Sequence, residues 1–204
     1  MSTLTDCRVK SWNQTTQIID AAFPHALDLK GGVCYGSCVE WLKRLRQVPH
    51  ESPDHRMAYV SSQAKLIGGR QRLYESAQRD VKARTDDFTA AVHFQVMNRL
   101  IQIGKFGMSI EFVDGGAEFT QLADALPAMR NGNMPYAMIN ISTLSGGHAI
   151  CAQNADSIRL FDPNFGEFVI GDGDLEAFFG DLSLASALTG NMYLFVNVAQ
   201  VSFA

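Results

Sequence analysis

The chain has 204 residues, 47% of them apolar, and a formal net charge of −4. That size predicts a single domain, 1–204, able to bury a sizeable core, and the negative balance excludes a phosphate backbone as the main partner. No apolar run reaches the roughly 18–20 residues of a membrane span, the opening MSTLTDCRVKSW lacks the apolar stretch of a secretory signal peptide, and Ser2 stands where N-myristoylation needs glycine.

Residues 11–22 predict a short helix ending before Pro24, and 23–30 a loop leading to KGGVCYGSCVEWLKRL, residues 30–45. Cys34, Cys38, Trp41 and Leu45 recur at i, i+4, i+7 and i+11, one stripe of a helix, with Leu42 widening it. Glu40, Lys43, Arg44 and Arg46 fall on the remaining faces and suit water. Cys34 lies in the first turn of this helix. The first amide N–H groups there lack internal partners and carry partial positive charge, which favours a thiolate. Gly31 and Gly32 just upstream leave space for a substrate.

The PHESPD segment, 49–54, predicts an exposed turn, because His50, Glu51, Asp54 and His55 match no zinc spacing. Residues 57–85 predict long, polar, mostly helical structure interrupted at Gly68-Gly69, and its mixed charges suit a solvated face. A further helix is expected over 87–103, with His93 a plain core or surface histidine. A strand over 108–113 and a helix over 117–130 follow. Then come strands at 136–142, 148–153, 157–162, 167–170 and 192–198, with a helix at 173–187 between the last two. Helices first and a run of short strands afterwards predict an α+β domain with an antiparallel sheet.

The four cysteines, Cys7, Cys34, Cys38 and Cys151, are too few for a disulfide scaffold and show no paired metal spacing. Free thiols in a reducing compartment are expected, either a host cytosol or the bacterial cytoplasm of the producer.

The second chemical stretch is SGGHAICAQNADSIRLFDPNFGEF, 145–168. A three-residue turn at 154–156 pairs Gln153 with Ser157 and sets His148 opposite Asp162, where opposed side chains share a face. A turn one residue shorter or longer leaves Asp162 offset. A carboxylate beside His148 would orient the ring and stabilise its protonated form. A first-turn cysteine together with a His/Asp pair points to thiol catalysis.

Gly-Val-Cys with Trp seven residues after the cysteine (32–41), Gly-Gly-His-Ala (146–149) and Phe-Asp-Pro-Asn-x-Gly (161–166) resemble the YopT/AvrPphB-type cysteine proteases, bacterial effectors with a papain-like fold. The resemblance implies a helical N-terminal half packed on a C-terminal antiparallel sheet. It also implies Cys34 as nucleophile, His148 as general base and Asp162 as the residue that orients it. It further implies a host protein as substrate, no metal or organic cofactor, and delivery to a host cytosol without a cleavable signal peptide. The same triad chemistry serves glutamine deamidases and transglutaminase-like acyl transferases, and a catalytically silent binding module could keep the fold. Papain-like enzymes usually place an Asn or Gln a few residues before the cysteine to bind the oxyanion. Here none lies between Gln17 and Cys34, where the nearest polar side chains are Asp28 and Lys30.

Overall fold

The computed structural model describes residues 3–23, 29, 32–82, 108–143 and 146–203. Its first half supplies helix α1 (Thr3–Asp6), the short strand β1 (Arg8–Lys10) and a wide helical turn at Thr15–Ile19 that continues into α2 (Asp20–Ala22). Three longer helices follow: α3 (Cys34–Gln47), α4 (Pro53–Ser62) and α5 (Ala64–Lys82). The second half opens with β2 (Met108–Glu118), a 3-10 turn (Phe119–Gln121) and α6 (Leu122–Asn131). It then runs through β3 (Tyr136–Thr143), β4 (Gly146–Asn154), β5 (Ile158–Asp162), β6 (Gly166–Ile170), α7 (Leu175–Leu188) and β7 (Tyr193–Phe203). The expected helix at 87–103 lies outside the described residues.

All seven strands among the described residues join one sheet in the order β1-β6-β5-β4-β3-β7-β2, every pairing antiparallel. The architecture is the α+β arrangement expected, with helices ahead of the sheet. Alternation along the strands divides the core into two layers. Met138, Ala149, Cys151 and Phe161 face α3, α4 and α5, while Ile139, Ile150, Leu160 and Phe168 face α6 and α7. Trp41 of α3 stacks on Phe161, ring centroids 5.6 Å apart, and fixes the depth at which the helix lies on the sheet.

Several expectations change. The first strand, Arg8–Lys10, has no counterpart among the expected elements and extends the sheet beside β6. The expected helix at 11–22 forms only from Thr15. Gly68 and Gly69 sit inside α5, and the chain breaks earlier, at Gln63. The PHESPD turn is shorter than expected, because Ser52 caps α4 by accepting the His55 backbone N–H and Pro53 occupies the first helical position. Glu40, expected in water, is buried and paired with Arg70 of α5. A buried carboxylate requires such a partner.

A second buried ion pair ties the halves together. Glu167 of β6 accepts from Arg56 of α4 at 2.5 Å and from the Trp41 indole N–H at 2.9 Å, and neither charged side chain is exposed to solvent. At the β5–β6 turn, Gly166 has φ +117°, and a Cβ there would lie 2.0 Å from the Lys10 carbonyl oxygen. Only glycine lets the N-terminal segment cross this turn.

Candidate active site

The chain enters α3 through Gly32 and Val33, and no side chain of Val33 caps the helix. Cys34 is the first helical residue and is 7% exposed. The first amide N–H groups at this helix head have no intrahelical acceptor.

The register between β4 and β5 differs from the expected one. Asn154 pairs with Ile158 and Cys151 with Phe161, so the connecting turn is 155–157. Strand β4 runs one residue further because the Asn154 backbone N–H is held by the Pro135 carbonyl at 2.8 Å. Extending the ladder sets Ile150 opposite Asp162, with His148 two residues along on the same face. Such diagonal neighbours lie about 7–8 Å apart between backbones, within reach of long side chains. The ring closes the gap: His148 Nε2 lies 2.9 Å from Asp162 Oδ1.

Asp162 is fully buried and held by two more donors. The Asn164 backbone N–H donates to Oδ1 at 2.8 Å, and the Tyr193 hydroxyl donates to Oδ2 at 2.9 Å. Tyr193, at the start of β7, also stacks on the His148 ring at 5.4 Å and 18°. Burial and the neighbouring Asp162 charge raise its hydroxyl pKa, so it stays a donor.

Burial alone would lower the His148 pKa, but the Asp162 charge and hydrogen bond, with a hydrogen bond to Cys34, outweigh it and raise it well above the ordinary histidine value. That shift favours the protonated ring beside Asp162. Of the three side chains singled out in the sequence, His148 and Asp162 are joined by a hydrogen bond, and Cys34 is among the groups that raise the pKa of the same ring. They meet at the seam of the two core layers, with Cys34 in one and Tyr193 in the other.

Cys38 and Cys151 are sealed in the core beneath this seam, and the Cys38 thiol donates to the Ala149 carbonyl at 3.4 Å. Burial raises both thiols above their ordinary range. Cys7 is raised as well, by burial first. Among the described residues, no group of three or more His, Cys, Asp or Glu is placed to hold a metal ion.

Two residues at the site carry no signal in the local sequence. One is Tyr193, thirty-one positions after its partner. The other is Gln14, buried against the head of α3 and twenty positions before Cys34 in the chain. Gln14 Oε1 accepts the Val33 backbone N–H at 2.6 Å, and Nε2 donates to Asn164 Oδ1 at 2.7 Å. Its own backbone N–H donates to the Pro163 carbonyl at 2.7 Å. One side chain therefore bridges the residue before Cys34 and the turn that follows Asp162. Gly32, at φ +114°, makes room for it, since a Cβ there would press on Gln14 Oε1 at 3.2 Å. Asp28 and Lys30 lie outside the described residues.

The profile of the Peptidase_C58 family, described as Yersinia/Haemophilus virulence surface antigen, matches residues 5–194. The chain belongs to this family. Among solved structures, the Pseudomonas avirulence protein AvrPphB superposes with a TM-score of 0.66 at 20% identity, over 98% of this chain and 99% of that one. PatoxP, a cysteine protease-like domain of the Photorhabdus asymbiotica toxin PaTox, gives a TM-score of 0.45 at 9% identity, over 96% of this chain and 55% of that one. Comparison with curated proteins finds no match. The family match spans all three candidate site residues, and the first superposition shows that the helix-then-sheet arrangement is the AvrPphB fold. No helix among the described residues is long and apolar enough to cross a membrane.

Proposed function

We propose that this member of the family is a cysteine peptidase in which Cys34 is the nucleophile, His148 the general base and Asp162 the residue that orients the base. The observation that carries this reading is the hydrogen bond from the His148 ring to a buried, triply hydrogen-bonded Asp162, with Cys34 at the head of α3 among the groups that raise the same ring's pKa.

Because Nε2 faces Asp162, the other ring nitrogen, Nδ1, serves the thiol. His148 holds the proton of Cys34, and the thiolate attacks a substrate carbonyl. The tetrahedral oxyanion forms at the helix head, where the Cys34 backbone N–H and its neighbours have no intrahelical acceptor. The imidazolium then gives its proton to the leaving amine, and water attacking the thioester, with His148 taking a proton again, releases the acyl group. Asp162 keeps the ring aimed, as the third member of a triad does. We place this chemistry in one catalytic domain of a bacterial effector that acts on a host protein after delivery to the host cytosol.

The test compares host-cell lysate treated with wild-type protein and with Cys34→Ala, followed by sequencing of new protein N-termini. New termini that depend on Cys34 support the peptidase. A gain of about one mass unit on intact proteins would assign a deamidase instead, cross-linked products an acyl transferase, and no change a binding module.

A further inference from the structure

A cavity of about 610 Å³ opens beside His148. Its floor is the sheet face that carries α3, and its wall is the C-terminal part of α5, including Tyr74, Glu75 and Gln78. At the floor lies Asn140 of β3, with Ala149 and Asn197 as its register partners on either side. Asn140 is 8% exposed, and its carboxamide oxygen is buried without a hydrogen-bond partner. A buried unpaired acceptor costs free energy in the empty site, and a ligand that supplies a donor recovers it.

The wall adds acceptors beside Arg79, whose guanidinium leaves that oxygen without a partner. Gln78 uses its amide N–H on the Tyr74 hydroxyl at 2.7 Å, and Glu75 presents a carboxylate of which one oxygen accepts from Gln71 at 3.2 Å. At the rim, a Cβ on Gly146 would meet nothing within 4 Å, and one on Gly147 only the Ile141 carbonyl oxygen at 3.7 Å. A chain can therefore pass over the two glycines directly in front of His148.

We propose that this cavity is the substrate-recognition pocket, that it takes a peptide side chain ending in N–H donors, and that the Asn140 carboxamide oxygen is its acceptor. The proposal rests on the peptidase reading above. Two kinds of side chain share that chemistry, the cations Lys and Arg and the carboxamides Asn and Gln. Replacing Asn140 with Leu removes the acceptor at similar volume, and Asn140→Asp keeps an acceptor and adds a charge.

The experiment digests a proteome-derived peptide library with wild type, Asn140→Leu and Asn140→Asp, and counts residues around each cut. Iodoacetamide labelling of Cys34 runs in parallel as a check on the folded site. Wild type is expected to show donor side chains enriched at one position. Asn140→Leu should reduce that enrichment about tenfold or more, because a site built for a hydrogen bond discriminates sharply, while Cys34 labelling stays at the wild-type rate. If the natural side chain is cationic, Asn140→Asp keeps or sharpens the preference; if it is a carboxamide, Asn140→Asp shifts it toward Lys and Arg. An unchanged profile in Asn140→Leu, or no donor preference in wild type, overturns the pocket assignment and leaves the peptidase standing. Wild type that cuts no peptide while Cys34 still labels rapidly overturns the peptidase reading itself, and the pocket with it.

Discussion

Replacing Gln14 with Ala should damage the site from a position twenty residues before Cys34. The substitution strips the Val33 backbone N–H of its acceptor and the Asn164 side-chain oxygen of its donor, both in a region where Val33 is fully buried. An unsatisfied buried polar group costs about 1–3 kcal/mol, so two that are partly relieved by water should cost about 3 kcal/mol. For a chain of this length that is a fall in melting temperature of roughly 6–12 °C. The same change frees the head of α3 to move relative to the His148–Asp162 pair, and a misplacement of about 1 Å can lower a reaction rate on the order of 100-fold. The assays are thermal unfolding and the second-order rate of Cys34 labelling by iodoacetamide. A Gln14→Ala protein that melts within about 2 °C of wild type and labels at the wild-type rate would refute the idea that this bridge sets the geometry.

Iodoacetamide at mildly acidic pH should label Cys34 well ahead of Cys7, Cys38 and Cys151, whose thiols burial raises, and peptide mapping that finds equal rates for all four would count against the His148 contact. Because the folded His148 pKa lies above its unfolded value near about 6.5, its contribution to stability should be full below that pH and fade as pH rises through the folded value. Melting curves of wild type and His148→Gln across this range should therefore converge toward alkaline pH. Tyr193→Phe keeps the ring stacked on His148 but leaves Asp162 Oδ2 short of a donor, so unfolding free energy should fall by about 1–3 kcal/mol in a denaturant titration. Arg56→Met leaves the buried Glu167 carboxylate with the Trp41 N–H and the more distant Arg159 and should cost about 3 kcal/mol, read in the same titration.

Periodicity made much of this chain legible. The stripe from Cys34 to Leu45 determined a helix starting at the cysteine, since a buried face must recur every three to four residues, and the whole stripe is buried. The order of helices and short strands likewise determined an α+β fold with an antiparallel sheet, and the three motifs pointed to Cys34, His148 and Asp162. Local spacing failed wherever a distant partner set the energy. Glu40 looked like a surface residue until Arg70, thirty positions on, gave it a reason to be buried. The β4–β5 register depended on Pro135 holding Asn154, so the His148–Asp162 meeting is diagonal rather than face to face. Tyr193 and Gln14 reach the site from opposite ends of the chain. A sequence records which side chains can bond, but a hydrogen bond forms only where packing brings its two ends within about 3 Å, and that distance was decided by the tertiary fold.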